Sequence, residues 1–169
     1  VLPFIPFYIQ ELGVADPIEL RRWVGLISAA PALLMGVMAP VWGRAADRFG
    51  PKLMLLRATI AGALIMGAIA LARSVEGVFA LRIIQGMFTG TITASATLVA
   101  SETPTNRLSF ALGFLGSSTF IGYSLGPSIG GFCAEWLGYQ VTFLIGSAML
   151  IVGFVLVLFF VPDVRAHDR

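Results

Sequence analysis

The stretch GYSLGPSIGG, residues 122–131, places four glycines and a proline inside a long apolar run. Glycine inside a helix costs about 1 kcal/mol relative to alanine, and proline about 3 kcal/mol. Gly122, Gly126 and Gly130 recur at every fourth position, so they share one helix face. Small residues at that spacing let membrane helices approach closely, and Pro127 removes a backbone hydrogen bond and bends the helix. The stretch predicts a close, bent helix–helix seam, with an ordinary small-residue interface as the alternative.

The composition of the chain is that of a membrane protein. Of its 169 residues, 57% are hydrophobic and 12% are charged, and the mean hydropathy is +0.91. A soluble domain carries about 25% charged residues, so this chain has too few to cover a surface in water. Its single cysteine, Cys133, excludes an internal disulfide and a multi-cysteine metal site. No basic tract alternates with aromatic residues, which argues against nucleic acid as a partner, and no metal or cofactor is expected.

Charges and turn-forming residues divide the chain into apolar segments, and a helix needs about 20 such residues to span a bilayer. The first segment is too short to span, so we interpret it as the second half of a helix whose start is absent. The predicted fold class is an all-α membrane protein. The predicted helices lie at residues 1–12 (partial), 23–42, 53–72, 78–100, 108–134 and 141–161.

The lysines and arginines between these helices predict the orientation. Seven of them lie on the side that holds residues 43–52 and the C-terminal tail, and three lie on the other side. Cytoplasmic loops carry the excess of Lys and Arg, so the first side is predicted to be cytoplasmic. Arg57, one turn into the third helix, is expected to snorkel back to that interface.

The stretch GRAADRFGPK, residues 43–52, is predicted to form a tight charged turn between two spans. Tight turns need glycine, and cations next to the membrane explain Arg48 and Lys52 without any further role. Asp47 is harder to explain, because a cytoplasmic acid contributes nothing to topology. Asp47 is predicted to accept hydrogen bonds from a neighbouring arginine or from the N-terminus of another helix.

Arg82, in the fourth predicted helix, is the only ionisable side chain that falls deep in a span. A charge at the bilayer centre costs about 2.5–3.5 kcal/mol on insertion scales. Because a helix turns by about 100° per residue, several polar or small residues share the face of Arg82. They are Gln85, Gly86, Thr89, Thr93 and Thr97. This stripe predicts the wall of a water-filled cavity, and packed interhelical hydrogen bonds or an arginine that snorkels outward are the alternatives.

Together the three stretches resemble the major facilitator superfamily, and the resemblance covers essentially the whole chain. GRAADRFGPK is similar to the signature between helices two and three, RIIQG to the fourth-helix signature, and GYSLGPSIGG to the fifth-helix signature of the antiporter branch. The matching residues are Gly43, Asp47, Arg48, Gly50, Lys52, Arg82, Gln85, Gly86, Gly122, Gly126, Pro127, Gly130 and Gly131. The chain departs from the usual pattern at Ala45, Pro51 and Phe88.

The resemblance implies the N-terminal six-helix half of a twelve-helix carrier, closest to drug:proton antiporters of the multidrug-efflux branch. In such carriers two halves rock around a central site and give alternating access. The implied partners are a small-molecule substrate, protons, the lipid bilayer and the C-terminal six-helix half of the same chain. The resemblance also implies that residues 43–52 form a conformational switch in which Asp47 contacts the other half. It further implies that Arg82 takes part in proton coupling, and that the seam at residues 122–131 meets the other half.

The predicted function is proton-coupled export of drugs or other small amphipathic molecules across a bacterial inner (plasma) membrane. An uptake symporter for sugars or organic acids with the same fold is the first alternative, and a non-transporting membrane scaffold is the second. An enzyme is least favoured, because no nucleophile–base pair is visible and the sole histidine, His167, lies in the tail. Helices two to six as predicted contain no acidic residue, so a proton-carrying carboxylate is expected outside them.

Overall fold

The structure, a computed structural model, describes residues 5–88 and 90–161. Every regular element in that part of the chain is an α-helix, which confirms the predicted all-α class. The helices are α1 Ile5–Glu11, α2 Pro17–Phe49, α3 Pro51–Ala70, α4 Val75–Phe88, α5 Thr91–Glu102, α6 Leu108–Leu137 and α7 Tyr139–Phe160. With α4 and α5 taken as one segment, five helical segments of the described part are long and apolar enough to cross a membrane. The predicted cavity residue Thr89 and the tail with His167 lie outside the described residues.

Helix α2 extends beyond its predicted apolar core, residues 23–42. It begins where the Asp16 side chain accepts a 3.0 Å hydrogen bond from the amide of Ile18, with Pro17 in the first turn. Proline suits that position because its missing N–H would have had no partner within the helix. At 33 residues, α2 is about 50 Å long, whereas the hydrocarbon core of a bilayer measures about 30 Å. The ends of α2 therefore reach past the apolar layer.

The predicted turn at residues 43–52 is almost entirely helical. Helix α2 continues to Phe49 and α3 begins at Pro51, so Gly50 alone separates them. Gly50 has a φ of 89°, a conformation that glycine adopts at little energetic cost. Its amide still donates to the carbonyl of Ala46 at 2.9 Å. The prediction of a turn over the whole stretch is wrong, because one glycine suffices to change the chain direction.

The predicted fourth helix, residues 78–100, is two helices in the structure. Helix α4 ends at Phe88 and α5 begins at Thr91, with Gly90 at a φ of 143° just before it. A side chain with a Cβ atom would be strained at that φ, so glycine permits the break. The polar face predicted along one continuous helix is therefore divided between α4 and α5.

The bundle pairs α3 with α7 and α2 with α4, and the buried apolar cluster lies where these pairs meet α1. Tyr8, Ile9, Ile69, Val78 and Phe143 are among its members, and the Tyr8 hydroxyl donates to the carbonyl of Ile69 at 3.0 Å. The positive-inside bias predicts that the end of the bundle that holds this apolar cluster is extracellular. The opposite end of the bundle holds the larger of the two cavities described below.

Small residues bring α3 and α7 into close contact. The Ser147 hydroxyl donates to the carbonyl of Ala63 across the interface at 2.7 Å. A Cβ atom at Gly67 would lie 3.4 Å from the Ser147 hydroxyl oxygen, and a Cβ atom at Gly146 would lie 2.5 Å from the Met66 methyl carbon. Close packing and interhelical hydrogen bonds of this kind hold membrane helices together.

Candidate functional site

A cavity of about 310 Å³ lies between α2, α3 and α5. Trp42 and Asp47 of α2, Arg57 of α3, and Thr93 and Thr97 of α5 line it. The Thr97 hydroxyl donates to the carbonyl of Thr93 at 2.9 Å, so that hydrogen bond stays within α5. The cavity therefore combines a cation, an acid, an indole ring and two hydroxyls between apolar helices.

Arg57 and Trp42 form the most closely packed pair in this cavity. The guanidinium carbon of Arg57 lies 3.3 Å from the centroid of the Trp42 ring, and the Trp42 indole N–H donates to the carbonyl of Met87 at 2.7 Å. The Nε and Nη1 atoms of Arg57 are buried and have no hydrogen-bond partner among the described residues. Attraction to the ring face thus orients the Arg57 head group toward Trp42, and the snorkelling of Arg57 to the interface remains a prediction.

Arg82 lies at the crossing of α4 and α2, and it does not line the cavity. Its side chain is 7% exposed, and its Nη1 donates to the Gln85 Oε1 at 2.9 Å. The Nε and Nη2 atoms are buried without a partner among the described residues. One turn along, a Cβ atom at Gly86 would lie 2.5 Å from the carbonyl oxygen of Pro31 in α2. The backbones of α4 and α2 are thus in direct contact beside a buried charge.

The predicted polar stripe is consequently split. Gln85 and Gly86 stay with Arg82 at the α2–α4 crossing, while Thr93 and Thr97 line the cavity on α5. The prediction of one continuous face is wrong, because the helix is interrupted between α4 and α5. The roles predicted for these residues in coupling and substrate passage remain predictions.

The residues of the predicted switch stretch have different surroundings. Gly43 and Asp47 line the cavity, and Lys52 is buried at the start of α3. Arg48 is exposed, with its guanidinium carbon 5.4 Å from the centroid of the Phe49 ring. Within the described part of the chain, the predicted hydrogen bond from an arginine to Asp47 is absent. Contact of Asp47 with another half of the carrier remains a prediction.

At its first two glycines, the predicted seam on α6 makes no close contact with another described helix. Gly122 and Gly126 are exposed, and a Cβ atom at either would meet nothing within 4 Å. Pro127, Gly130 and Gly131 are half-buried. Ala134 is the only buried residue among the 30 of α6. A second, apolar cavity of about 220 Å³ lies between α6 and α7, next to Gly126 and Gly130.

Sequence reasoning missed Arg57 and Trp42. Two signals were present: an arginine inside an apolar segment, and a tryptophan near the end of the preceding one. Their pairing could not be predicted, because it depends on α2 continuing through residues 43–49 and on the rotation of α3 against it.

Comparison with known proteins identifies the group to which the chain is similar. The family model described as Major Facilitator Superfamily matches residues 1–169. A "Multi-drug resistance efflux pump PmrA homolog" of Lactococcus lactis is 44% identical over 163 residues, which are 96% of this chain and 40% of that protein. Proteins named "Multidrug resistance protein MdtG" are 35% identical in Proteus mirabilis and 36% in Yersinia enterocolitica, over 96% of this chain and 40% and 39% of theirs.

The chain spans about two fifths of the length of these relatives. The match over every residue agrees with the apolar helices of the described part, which are those of a multi-pass membrane protein. The resemblance inferred from the three motifs, to the superfamily and within it to multidrug-efflux proteins, is confirmed. The chain belongs to the Major Facilitator Superfamily.

Proposed function

We propose that this chain is the N-terminal half of a proton-coupled exporter of drugs or other small amphipathic molecules. The superfamily match and the efflux names of the relatives support this role. The partners are the substrate, protons, the bilayer of a bacterial inner (plasma) membrane and a C-terminal six-helix half. Rocking of the two halves around a central site gives alternating access.

The observation that carries the proposal is the burial of Arg82 with unsatisfied donors. Its side chain is 7% exposed, and two of its nitrogens have no partner among the described residues. A buried charge costs several kcal/mol unless it is paired, and a helix with a purely structural role has no reason to carry one. A carboxylate that binds and releases a proton supplies an acceptor for Arg82 when it is ionised and withdraws it when it is protonated. Arg82 can thereby link protonation to helix position.

No described residue offers that carboxylate from within the bundle. The seven acidic residues of the described part are all exposed: Glu11, Asp16, Glu19, Asp47, Glu76, Glu102 and Glu135. We therefore place the proton-carrying acid outside the described residues. This placement follows the sequence expectation, because no acidic residue falls in the predicted helices two to six.

The test uses everted membrane vesicles that contain the complete transporter and whose interior is acidified by respiration. We expect the wild-type protein to accumulate ethidium in these vesicles and to dissipate the pH gradient as it does so. The Arg82→Ala variant should lose gradient-driven accumulation, and Arg82→Lys should keep part of it because the charge is retained. Arg73→Ala is the matched control, since Arg73 is an exposed arginine between α3 and α4.

Two results would contradict the proposal. Wild-type accumulation by Arg82→Ala, at equal amounts of folded protein, would exclude the coupling role. Gradient-driven accumulation in right-side-out vesicles but not in everted ones would identify an uptake symporter. Melting curves in detergent verify that each variant is folded.

A further inference from the structure

The C-terminal end of α4 is capped by a side chain from another helix. The last carbonyls of an α-helix have no partner within it, and the Met87 carbonyl belongs to the last turn of α4, which ends at Phe88. In a continuous helix its donor would be the amide of Thr91, but Gly90 lies between them with a φ of 143°. The indole N–H of Trp42 in α2 donates to this carbonyl at 2.7 Å. Trp42 thus occupies the place that a backbone amide would have in an unbroken helix.

Two further groups hold the Trp42 ring in position. The guanidinium carbon of Arg57 lies 3.3 Å from the centroid of this ring, and the Phe88 ring centroid lies 6.0 Å from it. The charge of Arg57 is therefore near the C-terminal end of α4, where the helix dipole favours a cation. We call the Trp42 indole, the Arg57 guanidinium, the Met87 carbonyl and the Phe88 ring the α4 cap. All four groups belong to described residues, so the cap is complete without a group from elsewhere in the carrier.

The interruption between α4 and α5 falls near the middle of the 28-residue apolar segment Val75–Glu102. At such a depth, irregular backbone persists only where protein or water satisfies its polar groups. A Cβ atom at Gly90 would meet nothing within 4 Å, so the positive φ rather than packing requires glycine there. The interruption therefore depends on two local features: a glycine that permits the φ, and a donor for the Met87 carbonyl.

We propose that Trp42 is a positioning residue for transport, because the α4 cap stabilises the interrupted form of the α4–α5 segment against a continuous helical form. In the continuous form the Thr91 amide binds the Met87 carbonyl and displaces the Trp42 indole. The two donors compete for one acceptor, so the form of α4–α5 is linked to the position of the end of α2 that carries Trp42. The inference rests on the proposed function only for its transport measurement.

Helix α2 is built so that this end can move by itself. Pro40 lies inside α2 just before Trp42, and a proline there removes a backbone hydrogen bond and weakens the helix. The close crossing of α2 and α4 at Pro31 and Gly86 lies on the other side of Pro40, so it stays in place when the end of α2 moves. Asp47 is on the moving end. A contact of Asp47 with the other half of the carrier is thereby transmitted through Trp42 to α4–α5.

The first test measures a distance across the interruption by electron paramagnetic resonance, with the complete transporter in nanodiscs. Spin labels are placed at Glu76→Cys and Glu102→Cys, both exposed positions, after all native cysteines have been replaced by serine. A continuous helix would separate the two positions by about 39 Å, and a change of direction at Gly90 shortens that distance. We expect the shorter distance to predominate in the wild-type protein. Gly90→Ala fits the space but not the φ, and it should give the longer distance.

Trp42→Phe keeps an aromatic ring for Arg57 and removes the N–H donor. We expect the ratio of shorter to longer distance to fall about fivefold, the change that loss of one hydrogen bond of typical strength produces. The matched control is Trp23→Phe, because the Trp23 indole N–H donates at 3.5 Å only to Glu19 of its own helix. An unchanged ratio in Trp42→Phe, or an equal fall in Trp23→Phe, would overturn the inference.

The second test is a double-mutant cycle on dye export by the same protein. If Trp42 acts through the interruption, Trp42→Phe should slow export in the wild-type background and add no further loss to Gly90→Ala. Residues that act on one equilibrium show this non-additivity. Losses that add in the double variant, at equal amounts of folded protein, would show that Trp42 acts by another route and would overturn its positioning role.

The two proposals fail separately. Distances that respond to Trp42→Phe in a protein that exports no dye would contradict the export function and leave the α4 cap standing. Gradient-driven ethidium export with distances that do not respond to Trp42→Phe would leave the export function standing and remove the role of the cap.

Discussion

The glycines of α6 and the glycines at the two main helix crossings have opposite surroundings. A Cβ atom at Gly86 or Gly146 would lie 2.5 Å from a neighbouring helix, whereas a Cβ atom at Gly122 or Gly126 would meet nothing within 4 Å. Yet it is α6 that carries the regular spacing of small residues. Spacing therefore identifies a face suited to close packing, and the fold decides which helix, if any, occupies that face.

The proposed contact of α6 with a second half of the carrier would explain why a costly glycine–proline run persists in a span. Within the described bundle, a Cβ atom at Gly122 or Gly126 would make no contact within 4 Å, so the run forms no close helix contact there. Helix α6 also directs large aromatic side chains outward, including Phe110 and Phe120, both more than two thirds exposed. Such a surface suits contact with a second half of the carrier at the glycines and with lipid elsewhere. The following predictions test the difference between glycines with free space around the Cβ position and glycines that touch a neighbouring helix.

The largest effect is expected from Gly126→Leu. Nothing lies within 4 Å of a Cβ atom there, and the neighbouring cavity between α6 and α7 leaves further room. Under the proposed two-half architecture, the bulky side chain would separate the halves at this seam. We expect dye export by the complete transporter to be abolished while its apparent melting temperature changes little. Gly153→Leu in α7, which also has open space around its Cβ position, should transport normally. Undiminished export by Gly126→Leu would mean that the face contacts lipid.

A smaller effect is expected from Gly86→Ala, which adds a single methyl group at the closed α2–α4 crossing. That atom would lie 2.5 Å from the Pro31 carbonyl oxygen, and overpacking of this kind costs about 1–3 kcal/mol. The same substitution at Gly126 should be neutral or stabilising by up to about 1 kcal/mol, because alanine favours helix. Thermal unfolding in detergent compares the two variants. Unfolding of Gly86→Ala at or above the temperature of Gly126→Ala would contradict the close crossing.

The smallest effect is expected from Ser147→Ala at the α3–α7 crossing. It removes the 2.7 Å hydrogen bond to the Ala63 carbonyl, and such interhelical bonds contribute about 0.6 kcal/mol on average in membrane proteins. Ser118→Ala is the control, because the Ser118 hydroxyl is exposed and bonds only to the Phe114 carbonyl of its own helix. A loss of stability in Ser118→Ala as large as in Ser147→Ala would show that the cross-helix bond adds nothing.

The sequence was sufficient to predict the all-α class of the fold. The bounds of the individual helices could be predicted only in part. Hydropathy located the apolar core of α2, yet Asp16 at one end and Gly50 at the other extend the helix far into the predicted loops. The interruption before α5 escaped prediction, because a single glycine inside a helical pattern is usually tolerated. Here Gly90 adopts a φ of 143°, which no short-range pattern signals.

The candidate site could be predicted less completely. Arg82 stood out because one charge in an apolar span is costly, and its neighbour Gln85 was found through the helical period. Arg57 was assigned to the interface, because an arginine near a helix end has an easy route to water. The stack on Trp42 depends on the mutual rotation of α2 and α3 and on a hydrogen bond to α4.

The sequence by itself determined that this protein lies in a membrane, that it is built of helices and that it belongs to a superfamily of carriers. These properties follow from local quantities: hydropathy over about 20 residues, charge between spans and short motifs. Only the tertiary structure decided which glycines are in contact, where Arg57 points and how the polar stripe divides between α4 and α5. Those features depend on contacts between residues far apart in the chain, and the relative rotation of two helices is not encoded in either helix alone.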